Sequence, residues 1–238
     1  ALTDHLSAPY MLEGTELNTS SSIGIAISPR DGQSVDQLTR CADAAMYSAK
    51  KAGRGQYRFF DQSLNVTDVE EFHLEQAFTE SLRNRDFLLH YQPQVCLDSM
   101  EVIGYEALVR WQHPSFGLLY PDKFIPLSEK TGFVVKLGME VLRLACVQIS
   151  EWQQMLGVSK PIAVNVSPIQ LSQPDFCANV LTMLSDMGLN PDLLELEITE
   201  TAMLESRAVE TLHRLKQAGI RLSLDDFGTG YAGFAHLE

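Results

Sequence analysis

The segment LLELEIT (Leu193–Thr199) alternates aliphatic residues with glutamate and threonine, the period-two pattern of a strand with one buried face. Two similar segments lie on either side of it, IAVNVS (Ile162–Ser167) and IRLSLDD (Ile220–Asp226), with helical patterns between. Their polar positions 165, 197 and 225 recur at intervals of 32 and 28 residues, which is typical of β-α units in a parallel sheet. No glycine-rich dinucleotide or phosphate-binding turn follows these strands, so we predict an α/β fold of the (β/α)8 barrel type.

The N-terminal quarter of the chain has a different pattern. SIGIAIS (Ser22–Ser28) and QYRFF (Gln56–Phe60) read as short strands, and Ser34 is placed to cap a helix between them. This strand-helix-strand unit is too small to be an independent domain. The polar stretch that follows is turn-like, so we predict three parts: residues 1–61, a linker at 62–69, and a larger domain over 70–238.

Composition excludes several classes of function. The net charge is -13, from 31 acidic and 18 basic residues, and no basic stripe marks a surface for a nucleic acid polymer. An anionic substrate would therefore need bound cations. The four cysteines are scattered without a CxxC pair, as in a reducing compartment, and neither a signal peptide nor a membrane-spanning run is present. We predict a cytoplasmic location, with any membrane tether outside this chain.

Oxygen-bearing side chains occur at the ends of four predicted strands: Glu106, Asn165, Glu197, and Asp225 with Asp226. In a (β/α)8 barrel the carboxyl ends of the strands meet on one face, so these residues are expected to converge. Carboxylate and amide oxygens suit Mg²⁺ or Mn²⁺, and adjacent aspartates could serve two ions. Each residue also has a structural explanation, such as a cross-strand partner or an Asx-turn, but their repeat spacing favours a metal site.

Six motifs carry a family resemblance. YEALVRW (Tyr105–Trp111) resembles the signature of the EAL family, and YQPQV, FIPLSEKTG, NVSPIQL, LELEITET and DDFGTGY resemble its further motifs in order. The resemblance implies a (β/α)8 barrel that hydrolyses cyclic-di-GMP to linear pGpG with two divalent metals. It covers about residues 70–238.

The resemblance also implies roles for individual residues. The residues implied as metal ligands are Glu106, Asn165, Glu197, Asp225 and Asp226. Three of these, Glu106, Asp225 and Asp226, are also implied as catalytic. Arg110 is implied as a substrate-phosphate contact, a role that suits its forked cation. Gln92 is implied in the substrate pocket, and Glu200 as the acid that anchors the loop DFGTGY.

Residues 20–60 are similar to the C-terminal end of a GGDEF, or diguanylate cyclase, domain. The GGDEF signature itself is absent, so cyclase activity is not assigned. The family barrel has further strands, one bearing a lysine near the attacking water, beyond the position of Glu238. We therefore expect an incomplete barrel and an inactive chain on its own, with activity, and an EAL–EAL homodimer, in the complete protein.

Two other functions compete with this prediction. Some EAL domains keep the pocket without catalysis and act as cyclic-di-GMP receptors, but such domains usually have broken metal motifs, and those visible here are intact. The tripeptide DFG at 226–228 also occurs in protein kinases, but neither HRD nor a GxGxxG loop is present. An enzyme is therefore the preferred interpretation.

Overall fold

The structure, a computed structural model, describes residues 9–12, 15–17, 20–61, 66–204 and 206–225. The chain divides into two compact units, Ala1–Ala77 and Phe78–Glu238. No helix within these described ranges is both long enough and apolar enough to cross a bilayer.

The first unit contains the predicted strand-helix-strand pattern. Its elements are an antiparallel hairpin, β1 (Tyr10–Leu12) and β2 (Thr15–Leu17), and then β3 (Ile23–Ile25), α1 (Val35–Lys51) and β4 (Tyr57–Phe59), with β3 parallel to β4. Ser34 caps α1 as predicted, because its hydroxyl accepts a hydrogen bond from the Gln37 backbone N–H at 3.2 Å. The hairpin was not predicted, since residues 1–21 show no clear strand pattern.

The second unit is built mainly from alternating strands and helices. A helix that begins before it, α2 (Val66–Asn84), leads into β5 (Phe87–Val95), β6 (Val102–His113), β7 (Gly117–Leu119), α3 (Pro121–Thr131), α4 (Val134–Leu156), β8 (Ile162–Asn165), α5 (Pro168–Leu171), α6 (Phe176–Asp186), β9 (Leu194–Thr199), α7 (Ser206–Gln217) and β10 (Arg221–Asp225). Short 3-10 helices cover Pro191–Leu193 and Glu200–Leu204. Helix α2 includes residues 66–69 of the predicted linker, and the domain boundaries themselves stay predictions.

One sheet in this unit carries the functional residues. In the described part of the chain its order is β10-β9-β8-β6-β5, with β7 paired to β6. Strands β6, β8, β9 and β10 are parallel, as predicted, but β5 is antiparallel to β6. The reason is the connection at 96–101, which is too short for the crossover of a dozen or more residues that a parallel pair requires.

The two faces of this sheet differ sharply. The face toward the helices is apolar and buried, and its fully or nearly fully buried members are Phe87, Ala107, Trp111, Ile162, Val164, Leu194, Leu196 and Ile198. Trp111 lies in an aromatic cluster, with ring-centroid distances of 5.2 Å to Phe78, 5.1 Å to Phe87 and 5.7 Å to Phe124. The opposite face carries the predicted site residues of the described strands.

Candidate active site

The side chain of Asn165 joins the acids of two neighbouring strands. Its Nδ2 donates a hydrogen bond to Glu106 Oε1 at 2.9 Å and another to Glu197 Oε2 at 3.3 Å. These residues are separated by 59 and 32 positions in the sequence, and they meet because β8 lies between β6 and β9. Three of the predicted metal ligands are therefore in contact.

Strand register explains why these side chains share a face. Asn165 is paired with Glu197, and Glu106 is paired with Ala163, two residues before Asn165. Alternate residues of a strand point to the same side, so the two glutamates and the Asn165 amide lie on the same face of the sheet. Glu106 lies in the middle of β6 rather than at its end, a correction to the prediction, because β6 continues past its parallel partner to pair with β5 and β7.

A contact across the sheet shows that it curves. Gln94 Nε2 on β5 donates to Glu197 Oε1 on β9 at 3.4 Å, although β6 and β8 lie between these strands. Neighbouring strands are about 4.8 Å apart, so a flat sheet would hold β5 and β9 too far apart for this contact. The sheet is therefore curled around the polar face, as the wall of a barrel is.

The cluster formed by Glu106, Asn165, Glu197 and Asp225 concentrates negative charge. Partial burial raises the pKa of Glu197 to about 7, and the nearby carboxylates of Glu106 and Asp225 add to that rise. Asp225 ends β10 and pairs with Thr199, two residues after Glu197, so it belongs to the same face. Asp226, the remaining predicted ligand, lies outside the described residues.

The chemistry of this donor set fits a divalent cation. Carboxylate and amide oxygens are hard ligands, and a cation would offset the mutual repulsion of the acids. Across the described ranges, no three His, Cys, Asp or Glu side chains form a metal-binding group by themselves. The amide of Asn165 is therefore needed to complete a ligand set around Glu106 and Glu197.

Two of the predicted substrate-binding residues lie on the same face. Gln92 is exposed and sits directly opposite Glu106 in the β5–β6 register. Arg110 follows Glu106 by four residues on β6 and is half-buried. Its Nη1 donates to the Val109 carbonyl at 2.8 Å, and its guanidinium carbon lies 4.8 Å from the ring centroid of Tyr120. The structure therefore places both residues on the polar face that carries Glu106.

A cavity of about 630 Å³ adjoins the cluster. Asn165, Glu197 and Thr199 line one side of it, and α3 and α4 line the other. Its volume is within the range of about 300–1,000 Å³ that is usual for small-molecule sites. Glu200 begins the 3-10 helix after β9, and the loop that it is predicted to anchor starts at Asp226, outside the described residues.

A sequence model of the EAL domain matches residues 75–238, more than half of the chain. This chain belongs to the EAL domain family. A model of the diguanylate cyclase GGDEF domain matches residues 1–56, so a GGDEF segment precedes the EAL domain. Both resemblances proposed from the sequence are confirmed.

Known relatives and structures agree with this assignment. An uncharacterized signaling protein of Caulobacter vibrioides and the bifunctional diguanylate cyclase/cyclic di-GMP phosphodiesterase MucR of Pseudomonas aeruginosa are each 41% identical over 239 residues, 100% of this chain. This chain spans only 29% and 35% of their lengths. The solved PaMucR phosphodiesterase in complex with c-di-GMP is 38% identical, with a TM-score of 0.64 over 67% of this chain and 66% of that one. The predicted barrel fold is confirmed.

Sequence reasoning assigned no role to three residues with side-chain contacts in or next to the cluster. Gln94 contacts Glu197, and the hydroxyl of Ser167 contacts Glu129. Gln94 follows Gln92 by two positions, so strand periodicity could have placed it on the polar face. The contact between Ser167 and Glu129 has no comparable signal, because it joins a helix to a turn 38 positions away.

Proposed function

We propose that this EAL domain hydrolyses cyclic-di-GMP to linear pGpG with Mg²⁺ or Mn²⁺ bound at the cluster. The observation that carries the proposal is the contact of Asn165 with both Glu106 and Glu197, at 2.9 and 3.3 Å, on the inner face of a curved sheet. The name of MucR and the c-di-GMP bound to its solved structure support the choice of substrate.

The cluster residues would serve as ligands of two cations. Glu106, Asn165, Glu197 and Asp225 would hold them, with Asp226 as a further ligand of the second ion. In the structure the Asn165 amide donates to both carboxylates, and a half-turn of that amide would present its oxygen instead. When bound, the cations supply an activated water and neutralise charge on the phosphate.

The substrate would bind beside the cluster. The Arg110 guanidinium would donate a bidentate hydrogen bond to a phosphate group. Gln92, which is paired with Glu106 in the β5–β6 register, would contact the same nucleotide. The adjoining cavity of about 630 Å³ is largely lined by apolar side chains of α3, α4 and β6, which suits a planar base. The predicted role of Glu200 in anchoring the next loop is retained in this proposal.

Hydrolysis breaks one of the two phosphodiester links. The oxygen of a water bonds to phosphorus, the bond from that phosphorus to the ribose 3′ oxygen breaks, and the 3′ oxygen takes a proton. The ring opens to a linear dinucleotide with a 5′ phosphate. A single cut therefore yields pGpG, and no other reactant is required.

The proposal is tested by incubating the full-length protein with cyclic-di-GMP and separating the products by chromatography. We expect pGpG to form with Mg²⁺ or Mn²⁺ and not with a chelator. Binding of cyclic-di-GMP without any turnover under these conditions would instead establish the receptor alternative.

Arg110→Lys is expected to weaken the binding of cyclic-di-GMP about tenfold, the loss of one charge-assisted hydrogen bond. Lysine keeps the charge but cannot form a two-pronged contact, and it loses the guanidinium contact over the Tyr120 ring. Calorimetric titration in the presence of a chelator measures binding without hydrolysis. Arg83→Lys, at an exposed position of α2, is the matched control. Equal affinities for the two variants would remove Arg110 from the substrate site.

A further inference from the structure

A short hydrogen bond fixes the turn that follows Asn165. Ser167, two residues after Asn165, donates its hydroxyl proton to Glu129 Oε1 with an Oγ–Oε1 distance of 2.6 Å. This length is characteristic of a hydroxyl bonded to an ionised carboxylate, a pair that is stronger than a neutral hydrogen bond. Glu129 lies in the last turn of α3, so this bond ties the turn to a helix.

The same turn is held from a second side by Gln170. The Ser167 backbone N–H donates to Gln170 Oε1 at 3.2 Å, and Pro168 between them has a fixed φ. Gln170 is only 3% exposed and packs against Gly138 of α4, where a Cβ atom would lie 1.8 Å from its Nε2. The glycine thus gives the Gln170 amide the space it occupies.

The strand side of the turn is also anchored. The Val166 backbone N–H donates to the Glu197 carbonyl at 2.9 Å, which extends the pairing of β8 with β9 by one residue. Asn165 is therefore the last strand residue before a turn that is fixed at Ser167. A shift of that turn would therefore be expected to change the direction of the Asn165 side chain relative to Glu106 and Glu197.

We propose that Glu129 is a positioning residue for the cation site, acting through Ser167 on the orientation of Asn165. This inference rests on the proposed function, because it assumes that Asn165 is a ligand. Glu129 itself lines the adjoining cavity, whereas the contacts of the cluster are made by Asn165. Its carboxylate acts as the fixed acceptor that sets where the Ser167 hydroxyl, and hence the turn, must lie.

The test compares Glu129→Ala, Ser167→Ala and Glu129→Gln in the full-length protein. The main readout is Mn²⁺ affinity, from the spin-resonance signal of free Mn²⁺, with kcat and KM measured alongside. Loss of a residue that orients a metal ligand typically costs about 10- to 100-fold in metal affinity, and we expect this for both alanine variants. Glu129→Gln keeps an oxygen acceptor for Ser167, so its affinity should stay within about threefold of wild type.

Combining the two alanine substitutions separates this mechanism from others. Residues that act through one bond are not additive, so the double variant should bind Mn²⁺ as the single variants do. Glu151→Ala on the exposed side of α4 is the control and should leave the affinity unchanged. Thermal melts identify any variant that fails to fold; if Glu129→Ala does so, Ser167→Ala, which breaks the same bond by removing only a hydroxyl, provides the test.

The outcomes are distinguishable. Wild-type protein that binds no Mn²⁺ would overturn the proposed function and this inference with it. Wild-type binding with unchanged affinity in Glu129→Ala would overturn the inference alone. A loss in Glu129→Ala without a loss in Ser167→Ala would also overturn it, because Glu129 would then act directly rather than through Ser167.

Discussion

Glu106→Ala in the full-length protein is expected to lower the rate of cyclic-di-GMP hydrolysis by at least about a thousandfold, because catalytic groups that act as a unit fail together. The substitution removes one of the two carboxylates that Asn165 bridges, at 2.9 Å. It also removes a negative charge beside Glu197, so fewer ligands and less charge remain for a cation. Mn²⁺ affinity should fall together with turnover.

Glu101→Ala is the matched control for this variant. Glu101 is an exposed glutamate five positions earlier, just before β6 begins, and it lies outside the predicted ligand set. Initial rates and Mn²⁺ titrations of both variants decide the result. Wild-type turnover by Glu106→Ala would show that the cluster is not the catalytic centre.

Trp111→Ala is expected to lower the free energy of unfolding by about 3–5 kcal/mol, the usual cost of removing a buried aromatic side chain. Trp111 is fully buried, and its ring contacts Phe78, Phe87 and Phe124. These contacts fix β6 against α2 and α3, so the variant should also lose part of its Mn²⁺ binding as the strand loosens.

Thermal unfolding of the full-length protein measures this effect, and a drop of about 10 °C in the EAL transition is expected for a domain of this size. Trp111→Phe should cost far less, because the buried indole Nε1 has no hydrogen-bond partner among the described residues and phenylalanine removes that group. Phe116→Ala, at a residue that is 42% exposed, is the control. Equal melting temperatures for Trp111→Ala and wild type would contradict the assignment of Trp111 to the core.

Sequence periodicity predicted the part of the fold that repeats. In β9 the aliphatic residues are buried and Glu195, Glu197 and Thr199 lie on the other face, as the alternation of LLELEIT indicates. Strands β8 (Ile162–Asn165) and β10 (Arg221–Asp225) lie within the predicted segments 162–167 and 220–226. Because register in a parallel sheet is regular, correct strands were enough to bring Asn165 beside Glu197.

Strand direction and a helix that contains a proline were harder to predict. Strand pattern carries no direction, so the segment of β5 does not itself reveal that it runs antiparallel to β6, although the short connection at 96–101 is a usable signal for a hairpin. Helix α3 was missed because Pro126 lies inside it and argues against a helix. Pro121 at its start and Gly132 after its end were the signals in its favour.

Contacts between distant side chains had no signal in a single sequence. The bond between Gln94 and Glu197 spans 103 positions, and the bond between Ser167 and Glu129 spans 38. Both depend on how far the sheet curls and on how α3 packs against it. Periodicity fixes which face a residue occupies but not which of several residues on that face it touches.

The placement of Arg110 has a consequence for the entropy of ligand capture. A free arginine side chain carries about 2 kcal/mol of rotamer entropy, which is lost when it clamps an anion. Here the guanidinium already rests 4.8 Å from the Tyr120 ring centroid and bonds to the Val109 carbonyl. Much of this rotamer entropy is lost when the chain folds. A phosphate that binds Arg110 would therefore meet a preorganised guanidinium, and binding would cost little further side-chain entropy.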